Sequence, residues 1–137
     1  MNFEWGNGMS RMLVALALVA SPTAALAQTM NAETFHQRAS KLERKGAMAI
    51  FSRGEIKALM NEGQAAGKRA REQRLAAIKA GKAPRYCPPE GPSKMNSDEF
   101  MQRLGGIPAA ERARIDMTEA TIRILAGKFP CKAGSAS

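Results

Sequence analysis

This 137-residue sequence has little of what catalysis uses: two cysteines, one histidine, one tryptophan and one tyrosine. A zinc site built from Cys and His takes four ligands, and Cys87, Cys131 and His36 supply only three. A nucleophilic triad would have His36 as its single imidazole base. That residue follows Phe35 on a helical stretch with no neighbouring Cys, Asp or second His, so it reads as a partly exposed helical histidine. The adjacent acids Asp98 and Glu99 fall in the first turn of a helix, where carboxylates favour the helix dipole. Two-carboxylate catalysis needs acids that converge from separate elements. Six methionines lie beyond residue 27, but their spacing gathers no ligand set on one face, and core filling explains them better than copper. The sequence therefore reads as a non-enzyme with no cofactor and no metal.

Long apolar runs are also scarce. The exception is residues 12–20, Met-Leu-Val-Ala-Leu-Ala-Leu-Val-Ala, preceded by Arg11 and followed by Ser21-Pro22 and the small-residue pattern Ala25-Leu26-Ala27. That is the three-part pattern of a secretory signal peptide, with cleavage expected after Ala27. As a helix the run spans about 14 Å, short of the ~30 Å hydrocarbon layer, so no membrane span is expected. Glu4 and Trp5 are unusual in a signal start, and Met9 or Met12 would begin it more normally than Met1. The expected organisation is a signal peptide over 1–27 and a single domain over 28–137, exported to the periplasm. Export places Cys87 and Cys131 in an oxidising compartment, where an even count of cysteines predicts a disulfide. Only five aromatics (Phe35, Phe51, Tyr86, Phe100, Phe129) remain to build a core, so a covalent staple is physically useful.

Strand patterning is nearly absent, while helix punctuation recurs. Asn31 caps a first helix with Phe35, Ala39 and Leu42 on one side, ending at Gly46. The apolar link 47–51 reads as buried, either a connector or a turn of helix. Ser52 and Glu55 form a capping box opening a long helix over 53–80, which Gly81 and Pro84 end. At 100° per residue, Ile56, Leu59, Met60, Gly63, Gly67, Ala70, Ala77 and Ile78 make one packing face. Gly63 and Gly67 on it invite close approach by another helix. A turn-rich connection follows through Cys87. Asn96 with Glu99 and Asp116 with Glu119 are further capping boxes. The first opens a short helix carrying Phe100 and Leu104, which ends at Gly105-Gly106. The second opens a helix carrying Met117, Thr121, Ile124 and Leu125, stopped by Gly127 and Pro130. Between them Pro108 starts a helical piece through Arg114. The expected fold is all-α, four to five helices stapled by one disulfide.

What the sequence has in excess is positive charge, 21 Lys and Arg against 12 Asp and Glu, a net +9. Removing residues 1–27 takes away Arg11 and Glu4, so the charge is unchanged. Residues 68–85 carry Lys68, Arg69, Arg71, Arg74, Lys79, Lys82 and Arg85 against Glu72 alone, while residues 95–137 are nearly balanced. Most of these cations form a solvated helix face, but Arg74 falls on the packing face, so either the helix has left the core by that point or Arg74 meets an acidic partner there. Lys68, Arg71, Arg74, Lys79, Lys82 and Arg85 are thus the expected partner-binding residues. No nucleic-acid partner is expected, because the stretch lacks interleaved aromatics for base stacking and any known module.

The cysteine neighbourhoods are the most distinctive text. Cys87-Pro88-Pro89-Glu90-Gly91 resembles a Cys-x-Pro-x-Gly turn, and Phe129-Pro130-Cys131 closes a helix carrying Ala120 and Leu125. Together, over roughly residues 86–132 and with Leu104 and Pro108 between the cysteines, they resemble the Rap/Tai family of periplasmic immunity proteins, which protect bacteria from amidase toxins delivered by type VI secretion. The resemblance implies an exported helical homodimer that binds a peptidoglycan amidase and obstructs its active-site groove. It also implies that Cys87, Pro89, Gly91, Pro130 and Cys131 are structural positions. The basic helix before Cys87 departs from the family and leaves the partner's identity open. Two other classes compete: a periplasmic acid-stress chaperone, which 11 acids and one histidine equip poorly for near-neutral switching, and a basic envelope protein that docks on anionic cell-surface polymer.

Overall fold

Helix punctuation dominates the computed structural model, which describes residues 29–91 and 94–132. The expected signal peptide over 1–27 lies outside the described residues. The elements are α1 (Ala32–Lys45), a 3-10 segment (Gly46–Ser52), α2 (Arg53–Lys79), α3 (Ser97–Gly106), the single-turn α4 (Ala109–Arg112) and α5 (Met117–Lys128). Among the described residues there is no strand, only an isolated bridge between Asn31 and Asp116. The all-α architecture is as the sequence predicts.

Three of the expected caps form. Asn31 accepts from the N–H groups of Glu33 and Thr34, Asn96 from that of Glu99, and Asp116 from that of Glu119. Each satisfies donors that a helix start leaves open. The box expected at Ser52 does not form. Ser52 enters α2 at φ −105°, ψ 36°, outside the extended conformation a cap needs, and its hydroxyl accepts from Lys45 Nζ instead. Gly46 (φ 52°) and Gly81 (φ 71°) take the left-handed backbone that ends α1 and follows α2, as their places in the sequence predict.

The core sits between α2 and α5, with α1 and α3 closing it. Ala32, Phe35, Leu59, Ala66, Leu104, Met117, Ala120 and Ile124 form its main cluster, and Phe35 meets Phe100 edge to face at 6.3 Å. A smaller cluster of Ala70, Tyr86 and Ile122 lies under the loop after α2, with Leu125 and Ala126 against it. Arg112 of α4 is buried: its Nε donates to Glu33 Oε2 at 2.6 Å, and its Nη1 donates to the carbonyls of Gly105 and Ile107. It thereby ties α1 to the α3–α4 turn.

Two further expectations are corrected. The buried residues of α2 are Leu59, Ala66 and Ala70, while Met60 and Ile78 are exposed. The helix is thus rotated by about 50° from the expected face, at 100° per residue. Alanines 66 and 70 make the close approach to α5. A Cβ at Gly63 or Gly67 would meet nothing within 4 Å. The apolar link 47–51 is the second correction: Met48, Ile50 and Phe51 are 63%, 60% and 77% exposed. The 3-10 segment packs chiefly on α1 and α2, the helices it joins, and neither covers these side chains.

Candidate cleft beside the disulfide loop

The C-terminal half of α2 and the loop after it are brought against α5 by three kinds of contact. Cys87 and Cys131 form a disulfide with their Cα atoms 4.9 Å apart, and the Cys87 N–H donates to the Phe129 carbonyl at 2.8 Å. Arg85 clasps Glu119 with two bonds of 2.6 and 2.8 Å. Tyr86, 4% exposed, turns inward onto Ala70 and Ile122. The segment therefore lies flat on the helices and leaves an open cleft of about 420 Å³ between α2 and the loop. Its lining is Arg71 and Arg74 from α2, Tyr86, Pro88, Pro89, Glu90 and Gly91 from the loop, and Leu125 from α5.

Arg74 gives the cleft its chemistry. Its guanidinium carbon stands 5.6 Å from the centroid of the Tyr86 ring, a cation–π arrangement. Its Nε is buried without a hydrogen-bond partner. Buried donors are nearly always satisfied, and an orphaned one costs roughly 1–3 kcal/mol. Arg71, one turn earlier on the same side, is exposed. Two planar, permanently charged donor groups with an aromatic wall suit a carboxylate, which guanidinium groups bind by paired N–H donation. Glu90 is the one acid in the lining, on the loop side.

The six residues expected to bind a partner are thus divided by the fold. Arg71 and Arg74 share the cleft. Arg85 lies next to it, committed to Glu119. Lys68 is exposed at 3.9 Å from Glu72. Lys79 and Lys82 are exposed around the end of α2 and line no part of the cleft. Tyr86 and Leu125, expected from the sequence only as core residues, line the cleft with the two arginines. The available signal was Tyr86, an aromatic adjacent to a half-cystine and so tethered wherever the disulfide goes. Arg69, also in the basic stretch, is internal to the fold: it donates to Thr118 Oγ1 at 2.7 Å and to Glu62 Oε1 at 3.0 Å.

His36 is half-buried on α1, near Gly105 of α3. Among the described residues no group of three or more His, Cys, Asp or Glu side chains could hold a metal ion. No described helix is long and apolar enough to cross a membrane. Comparison with known protein families, curated proteins and solved structures finds no match to this chain.

Proposed function

We propose that this chain is an exported, non-catalytic binding protein that seats an acidic group of a protein partner in the Arg71–Arg74 cleft. The partner class is the one implied by the cysteine segments, a peptidoglycan amidase whose groove the chain obstructs. The observation that carries the reading is Arg74: its Nε is buried without a partner, beside Tyr86, at an opening wide enough for a side chain. A partner carboxylate arriving there pairs with the half-buried Arg74 guanidinium and with Arg71. The exposed Met60 and Ile78, with the half-buried Gly63 and Gly67 between them, share a side of α2 with the two arginines and offer apolar contact around that anchor. An anchor in a pocket with apolar surroundings is the usual composition of a binding hot spot.

Capture of partners from a periplasmic extract tests this. Arg71→Glu, with an exposed side chain, leaves the melting temperature unchanged and lowers recovery at least about tenfold, as loss of a desolvated charge pair costs about 2–5 kcal/mol. Arg74→Lys keeps the charge but not the planar donor pair, and it lowers recovery as well. Unchanged recovery with both variants sinks the proposal. Salt separates it from docking on anionic polymer, because polymer binding collapses between low and physiological ionic strength whereas a packed protein interface persists.

A further inference from the structure

A second surface lies at the other end of α2, on the 3-10 segment. Met48, Ile50 and Phe51 project from it with more than half of each side chain in solvent. Clustered exposed apolar groups of this kind mark an interaction site. The base of the segment is closed. Arg38 of α1 clasps Glu55 of α2 with two bonds of 2.6 Å, and Lys45 Nζ donates to Ser52 Oγ at 2.7 Å. The apolar side chains are therefore held outward on a tip fixed by polar contacts. Around the tip stand Lys41, Arg44 and Lys45 from the last turns of α1, and Arg53 and Lys57 from the first turns of α2, all exposed. The acids nearby are Glu43 and Glu55, the latter already clasped by Arg38. Arg44, Arg53 and Lys57 make no salt bridge among the described residues, so the ring keeps its charge.

We propose that this tip is a docking site for an anionic phospholipid bilayer, with Phe51, Ile50 and Met48 entering the interfacial layer and the cationic ring lying on the headgroups. Apolar groups inserted at the headgroup–acyl boundary together with flanking Lys and Arg constitute the two forces that hold peripheral proteins on membranes. Long basic side chains lay their methylene stems along the apolar layer and keep their charge at its surface. A second copy of the chain fits poorly, because a self-complementary contact through this tip would bring the two cationic rings together. A protein partner would need a groove to receive a convex tip and an acidic rim around it. A bilayer needs neither, since it moulds to the inserted groups. The surface is independent of the cleft: 21 residues of α2, about 31 Å at 1.5 Å per residue, separate Arg53 from Arg74.

The test places a tryptophan at the tip. In the full chain carrying Trp5→Phe and Phe51→Trp, the fluorescence of the single indole moves to the blue and is quenched by brominated lipid on mixing with phosphatidylglycerol-containing vesicles. With phosphatidylcholine vesicles it does neither. Because the readout is residue 51 itself, binding through the apolar run at 12–20 does not imitate it. The triple variant Arg44→Glu, Arg53→Glu, Lys57→Glu loses the response. In vesicle sedimentation, Ile50→Ser with Phe51→Ser lowers partitioning by about tenfold or more, in line with the transfer of large apolar side chains. Circular dichroism stays unchanged, since neither side chain is buried. An indole that stays solvent-exposed, or that responds equally to neutral vesicles, overturns the proposal. So does a blue shift that grows with protein concentration in the absence of lipid, which assigns the tip to a second copy.

Discussion

Glu119 shows how one residue can serve both an element and a site. It stands in the first turn of α5, where a carboxylate complements the helix dipole, and it accepts from Arg85 in the loop and from Arg123 one turn on. The hydrogen bonds from Arg85 are the largest cause holding its carboxyl well below the usual range, at about 2; burial, next in size, opposes them, and the bond from Arg123 adds to the lowering. A carboxylate with a lowered folded-state pKa adds stability that is fully present above the unfolded value, near 4.3, and is lost as pH falls through about 2. Glu119→Gln therefore lowers stability at pH 7 by about 1 kcal/mol, discounted for the partial exposure of these pairs. The difference from wild type shrinks between pH 4.5 and 2 and vanishes below. Melting temperatures of the two proteins across that window measure it; a gap that persists undiminished at pH 2 assigns the effect to packing instead. The arginine that orients this carboxylate was expected from sequence to face a partner. Its real acid was 34 positions away in the same chain, a pairing that local spacing does not reveal.

At the scale of elements, the parts legible in the sequence are those decided within one turn. Asn31, Asn96 and Asp116 cap because a short polar side chain at a helix start needs only its own next three residues. Gly46 and Gly81 stop helices for equally local reasons. Ser52 carries the same local pattern and fails, because Glu55 is drawn away to Arg38 and the 3-10 segment fixes the entry angle of α2. The face of α2 was misread for a related reason. Wheel analysis weights large apolar residues, so Met60 and Ile78 pulled the expected face toward themselves, whereas burial is set by what α5 can approach. That is the side bearing Ala66 and Ala70, flanked by Glu62 and Arg69. The misreading has a measurable consequence. Had Gly63 and Gly67 lain in the helix contact, alanine there would be destabilising. With nothing within 4 Å of either added Cβ, Gly63→Ala and Gly67→Ala each raise stability by about 0.5–1 kcal/mol, through helix propensity and a less disordered unfolded chain. Urea denaturation decides between the two, and a lowered midpoint for either variant returns that glycine to a packed interface.

For the whole molecule, the cleft was half legible. Arg71 and Arg74 stood out in the sequence because one charged residue broke an apolar face. Tyr86 and the proline loop that complete the cleft depend on where the disulfide folds residues 84–91 back across α2 and α5. The two cysteines are 44 residues apart, and the bridge encloses the cleft loop, α3, α4 and α5. The main core cluster draws on both sides of Cys87, but the smaller cluster under Tyr86 holds only three buried residues. Apolar burial alone therefore secures the loop weakly, and the bridge carries much of that task. Closing a loop of this length contributes about 4 kcal/mol on the chain-entropy model, a large share of the 5–15 kcal/mol typical of a domain. Cys87→Ala with Cys131→Ala accordingly lowers the urea midpoint by about 2–4 M, at the ~1–2 kcal/mol/M slope expected for a small domain. The slope itself steepens, because the unbridged chain exposes more surface when it unfolds. Below the lowered midpoint the helices persist by circular dichroism, while the cleft, with its loop wall untethered, no longer recovers the partner proposed for it. The tip at the far end of α2, held by Arg38–Glu55, continues to respond to anionic vesicles. A variant that keeps partner recovery at wild-type level would show that Tyr86 and the Arg85–Glu119 clasp hold the loop without the bridge.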